Sequence, residues 1–202
     1  MASQPSSFIV TLPKAELHLH LEGAIDPTTL LELRQRHGKP STLWDIEQLY
    51  SYRDFNGFLM AFKAVTEDLQ TADDYELITY RLMERLKAQS VLHAEVYVSV
   101  GVCLWRKQDF DAFFEGLDRG RQKGERDFGV SLLWIFDAVR QFGAVAAREV
   151  FDVAIRYRDR SVVAVGIGGD EQKMGYPRRK NMAARANATG RMLNTLVNER
   201  FG

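Results

Sequence analysis

The chain has 202 residues and a mass of 23.1 kDa, with 46% apolar and 27% charged residues, the balance of a soluble globular protein with one sizeable core. No run approaches the roughly eighteen apolar residues of a membrane span, and residues 1–7 lack the basic and apolar regions of a secretory signal. The single cysteine, Cys103, excludes an intramolecular disulfide and a multi-cysteine metal site, and suits a reducing cytoplasm. The net charge of zero conceals an asymmetry. Residues 1–171 hold 20 Lys+Arg against 26 Asp+Glu, whereas residues 172–202 hold seven basic residues and one acid, Glu199.

The first element is Ala15 to Leu21, which alternates with the period of a strand. Leu17, Leu19 and Leu21 face one way, and Glu16, His18 and His20 the other. Asp26-Pro27 opens a helix, with Asp26 as cap and Pro27 in the first helical position. A long helical region runs from Asp54 to Gln89, interrupted by a fresh cap at Thr71-Ala-Asp-Asp. Val91 to Val100 reads as a second strand, its polar side carrying His93, Glu95, Tyr97 and Ser99. A helix from Phe110 to Lys123 is expected to end near Gly124. Gly129 to Val139 is a third, strongly apolar strand, Ala144 to Arg158 a helix, and Ser161 to Ile167 a fourth strand. Strand and helix alternate throughout, which implies parallel strands joined by right-handed crossovers. An eight-stranded α/β barrel needs about 250 residues, so this chain has room for about half of one. On spacing alone an open doubly wound sheet fits as well.

His18-Leu-His20 is the strongest local signal for chemistry. Two residues apart in a strand, side chains share a face at a spacing of roughly 6.6 Å, so two imidazoles can converge on one metal ion. The pair sits at the C-terminal end of its strand, the functional end in parallel α/β proteins. Glu22 follows on the same parity. The bland alternatives are ordinary strand histidines and a solvated loop acid. His93, near the start of its strand, is a poor partner for the pair and reads as a packing residue; His37 reads as a helix C-terminal cap. Gly168-Gly-Asp-Glu171 ends the fourth strand, where glycines let a ligand approach the backbone; a plain turn is the alternative.

Together these segments resemble the adenosine/adenine deaminases of the amidohydrolase superfamily. The opening Leu12-Pro-Lys-Ala-Glu-Leu-His-Leu-His-Leu-Glu-Gly23 is similar to the family's signature. Phe58 to Phe62, Val91-Leu-His-Ala-Glu-Val-Tyr-Val-Ser99 and the Gly-Gly-Asp-Glu turn follow in the family's order over residues 8–171. The resemblance implies a partial (β/α)8 barrel of about four units, one zinc ion in its mouth, and hydrolytic removal of the 6-amino group of a purine base or nucleoside. It implies that His18 and His20 are metal ligands. It implies that His20, Glu22, Phe58, Phe62 and Gly169 line the substrate, Gly169 through its backbone. Phe58 and Phe62 read equally well as helix-core aromatics at i and i+4. In such chemistry zinc activates water near neutral pH and a carboxylic acid protonates the ring.

The family's remaining groups are a third histidine ligand, a proton-shuttling glutamate in a His-Ala-Gly-Glu motif, a further histidine and an aspartate ligand. No histidine follows Glu171, and no His-Ala-Gly-Glu occurs. Gly166 also stands where many members carry an aspartate. Residues 172–202 carry none of the family's motifs and are read as a basic, out-of-frame or otherwise substituted tail on a truncated deaminase. A basic amphipathic helix for a membrane or nucleic acid is the alternative; neither is expected as a partner. The expected alternatives for the whole are a purine deaminase, a non-catalytic half-barrel that self-associates through open strand edges, and a different His-x-His hydrolase completed by a partner chain.

Overall fold

Strands β1 (Lys14–His20), β2 (Val91–Val98), β3 (Ser131–Val139) and β4 (Val162–Gly168) form one parallel sheet in the order β1-β2-β3-β4. The structure, a computed structural model, describes residues 7–169; the expectations placed on Asp170, Glu171 and the segment 172–202 lie outside the described residues. A doubly wound sheet reverses its strand order at a switch point. Here each strand pairs with the next in sequence, which is the order of a barrel wall, so the open doubly wound alternative falls away.

The intervening helices are α1 (Ser7–Thr11), α2 (Pro27–Arg36), α3 (Leu43–Leu49), α4 (Phe55–Thr66), α5 (Ala72–Ala88), α6 (Val100–Trp105), α7 (Phe110–Phe128) and α8 (Gly143–Arg156). The cap at Asp26 is made: its carboxylate accepts the Thr29 N–H at 2.8 Å. Thr71 and Asp74 form a reciprocal capping box that separates α5 from α4. The same box at Thr42 and Asp45, with the Asp45 carboxylate 2.8 Å from the Thr42 N–H, starts α3, an element the apolar periodicity does not show.

Alternate residues of the central strands divide two environments. Val96 and Val98 of β2, and Leu132, Trp134 and Phe136 of β3, are buried under the helices. Phe110 and Phe114 of α7 meet Phe136 edge-on, with centroids 5.2 and 5.8 Å apart. Tyr97, Ile135 and Asp137 lie on the opposite parity. Helix α7 does not stop at Gly124. It runs to Phe128 and is closed by Gly129 in the left-handed region, φ 67°. Gly124 instead belongs to a stripe, Gly116, Gly120 and Gly124, on which α5 rests. A β-carbon on Gly120 would lie 2.7 Å from the Glu76 carbonyl oxygen, and on Gly116 or Gly124 it would collide with Ala72 or Met83. Four-residue spacing puts the three on one helix face, so the signal for helix packing was mistaken for a helix stop. The strands and their helices, through Gly168, make one compact unit.

Candidate metal and purine site

His18 and His20 end β1. The strand is not perfectly regular: Glu16 pairs with Ala94 and Leu19 with Val96, so one extra residue intervenes on β1. The irregularity leaves Leu17 57% exposed rather than packed as the simple alternation expects. The two imidazoles are nevertheless brought together, with ring centroids 5.5 Å apart and planes tilted by 41°. Tyr97 of β2, register partner of His20, stacks on both, at 4.5 Å from His18 and 4.9 Å from His20. Burial and then the neighbouring His18 lower the pKa of His20. Both effects favour the neutral ring, the form that offers a lone pair to a metal.

Glu22 lies in a short 3₁₀ turn (Glu22–Ala24) just past β1 and is only 2% exposed. Its Oε1 accepts the Ser99 N–H at 2.8 Å, which ties the end of β1 to the end of β2. Oε2 is buried and has no hydrogen-bond partner among the described residues. Burial pushes this carboxyl up to about 7; the Ser99 bond opposes the shift and the charge of Asp137 adds to it. Phe62 lies over Gly23: a β-carbon there would sit 3.6 Å from both the Phe62 ring and His20 Cβ. Phe58 lies beside it, with 6.1 Å between centroids and the planes tilted by 48°. Both rings are half-buried, whereas Ala61 and Val65 form the buried side of α4. The geometry therefore places Phe62 beside the histidine pair, with Phe58 one turn further out.

Asp137, from the end of β3, is a site residue that the sequence reading missed. It is 8% exposed and pairs in register with Gly166 of β4. Its carboxylate lies against Gly168, whose N–H favours the charged form together with the field of His18; burial outweighs both and raises the pKa to about 6. Gly169 follows directly on β4 with φ 119°, a conformation that suits glycine. Two histidines stay outside the site. His93 Nδ1 lies 3.1 Å from Ser131 Oγ at the opposite end of the sheet. His37 caps α2 and sets its Nε2 2.9 Å from Asp74 Oδ2.

Paired, converging imidazoles suit a borderline metal such as zinc. Among the described residues no group of three or more His, Cys, Asp or Glu is placed to hold an ion. No described helix is long and apolar enough to cross a membrane.

Comparison with known proteins agrees with this geometry. The chain is 34% identical over 189 residues to the aminodeoxyfutalosine deaminase of Streptomyces avermitilis, covering 91% of this chain and 53% of that protein. The adenine deaminase of Arthrobacter aurescens superposes with a TM-score of 0.73 at 28% identity, covering 88% of this chain and 55% of that one. An amidohydrolase from Burkholderia ambifaria, solved with bound Zn, gives a TM-score of 0.73 at 28% identity, over 84% and 48% of the two chains. The chain thus spans about half the length of the curated relatives it matches, and its four described strands with the helices between them form a partial TIM-type barrel. The sequence model of the adenosine deaminase family matches residues 13–196, from the strand that carries the histidine pair well into the basic segment, and the chain belongs to that family.

Proposed function

We propose that residues 8–171 form the first half of a zinc-dependent purine deaminase site, which acts in the cytoplasm on adenine, adenosine or a related nucleoside and removes the 6-amino group by hydrolysis. The observation that carries this reading is the His18–His20 pair, converging at the C-terminal end of β1 and braced by Tyr97. These two residues would hold the ion, which when bound activates water for attack on the purine. The chain's own residues bind and orient. His20 and Phe62 flank one place beside Gly23. Phe58 extends the apolar wall, and Gly169 offers its backbone to the ring. The unpartnered Oε2 of Glu22 supports a place for this acid in binding, because a buried carboxyl oxygen without a partner is costly and a donor from a ligand would satisfy it.

The proton-shuttling glutamate has no counterpart in these residues, so the chain by itself is expected to release no ammonia. The test is ammonia release from adenine and adenosine by the zinc-supplemented chain, alone and fused to the second half of a related deaminase. Silence alone with activity in the fusion supports a sound half-site. Activity in the unfused chain, or a fusion that folds and stays silent, overturns the reading.

A second reading is a half-barrel that pairs with itself. It is favoured by the two flanking strands, each with a single neighbour among the described residues and each with an exposed apolar residue, Leu17 at 57% and Val163 at 54%.

A further inference from the structure

Gly166 raises a question that the purine-site reading leaves open. Its backbone lies outside the positive-φ region that calls for glycine, yet the chain offers no side chain there. The space is not empty. A β-carbon at Gly166 would lie 2.6 Å from Tyr97 Cε1 and 3.0 Å from Asp137 Oδ1. One at Gly168 would lie 2.7 Å from Asp137 Oδ2. The two contacts under 3.0 Å require a neighbour to shift and the third is tight, and two of the three involve one carboxylate. That carboxylate reaches across from β3 to lie against Gly168, in the register that sets Asp137 beside Gly166. Tyr97, which fills the rest of the space, is the ring on which both histidines stack.

We propose that Asp137 is a positioning residue for the β4 turn: seated in the space that Gly166 leaves, it holds the Gly168 N–H and so sets the backbone leading into Gly169. The glycine at 166 is the condition for this seat, because a side chain there would meet the carboxylate. Tyr97 couples this seat to the histidine pair, since the same ring touches Gly166 on one edge and the imidazoles on its face. The link to purine binding rests on the deaminase reading above; the link between Asp137 and the turn does not.

A hydrogen bond to a charged acceptor is worth about tenfold or somewhat more in an equilibrium. In the full 202-residue chain, Asp137→Ala is therefore expected to speed hydrogen exchange of the Gly168 amide by about tenfold, with the Val96 and Val98 amides unchanged. Asp137→Asn, which keeps an oxygen acceptor, is expected to retain most of the protection. Gly166→Ala, which keeps the carboxylate but occupies its seat, is expected to speed the same amide, and it serves if Asp137→Ala does not fold. An unchanged Gly168 amide in Asp137→Ala or Gly166→Ala overturns the proposal, as does equal loss in the Asn and Ala variants. Adenine binding is measured on the same proteins, with a loss of about tenfold expected in Asp137→Ala. If the parent chain shows no adenine affinity while the amide responds as expected, the purine reading fails and the positioning role stands. If adenine binds and the amide does not respond, the reverse holds.

Discussion

Tyr97 is the residue on which the candidate centre turns. Its ring faces both imidazoles, and groups that orient metal-bound histidines are commonly worth tenfold or more in metal affinity. Tyr97→Leu is expected to weaken Zn(II) binding by about tenfold, read by competition with a chromophoric chelator, with the far-ultraviolet circular dichroism of the sheet unchanged. Equal zinc affinity in the two proteins would remove the bracing role. The histidine pair is legible in the sequence because its members stand two apart in one strand, where local periodicity governs. Tyr97 and Asp137 are legible only as members of a strand face. What gives them their work is register across strands: Asp137 meets Gly166, 29 positions along the chain, and no local pattern announces that pairing. Glu22 stands just beyond β1 in sequence as in space, but its burial against Ser99 depends on a neighbour 77 residues away.

At the scale of elements, two devices fix the helices, and each carries a prediction. The first is Asp26. Burial works against its ionisation, but bonds from Thr28 and Thr29 and the nearby Arg85 outweigh it and bring its pKa down to about 2. A carboxyl whose folded value lies below its unfolded one stabilises the fold above the unfolded value, and that contribution is lost as the pH falls through the folded one. Asp26→Asn is therefore expected to flatten the acid limb of stability between about pH 4 and pH 2, and Asp26→Ala to cost about 1 kcal/mol at neutral pH through the lost cap. Chemical denaturation across that range checks both. The second device is the glycine stripe of α7. On an exposed helix Gly→Ala stabilises by about 1 kcal/mol. Gly120→Ala is expected to do the opposite, lowering the urea midpoint by the equivalent of about 1–3 kcal/mol, because the new methyl drives into Glu76 and Thr79 of α5. The order of strands and long helices was legible from periodicity and caps. Helix α3 was not, although its Thr42–Asp45 box is a start signal, because its seven residues bury only Ile46. The length of α7 was misjudged because a glycine at a packing surface and a glycine at a helix end look alike one position at a time.

The whole sheet has two flanks. β1 pairs with β2 and β4 with β3, and among the described residues neither has a second neighbour. Unpaired strand edges bearing apolar side chains invite pairing between chains. Leu17→Lys combined with Val163→Lys is expected to shift the chain toward the monomer in sedimentation velocity, and an unchanged distribution would count against pairing through these flanks. Any chain that pairs with these flanks also covers their exposed apolar residues. The same strand order bears on how the chain acquires its structure. Every ladder joins strands consecutive in sequence, and each crossover helix lies between the two strands it connects. No described strand skips over another to find its partner, so loop closure is met one unit at a time, the longest step running from Lys14 to Val91. A nascent chain can therefore lay down β1, then β2 beside it, then β3 and β4, each new unit docking on a surface already formed. Such a sheet is assembled in the order in which it is translated, and the histidine pair on its first strand is in place before the rest of its pocket has been made.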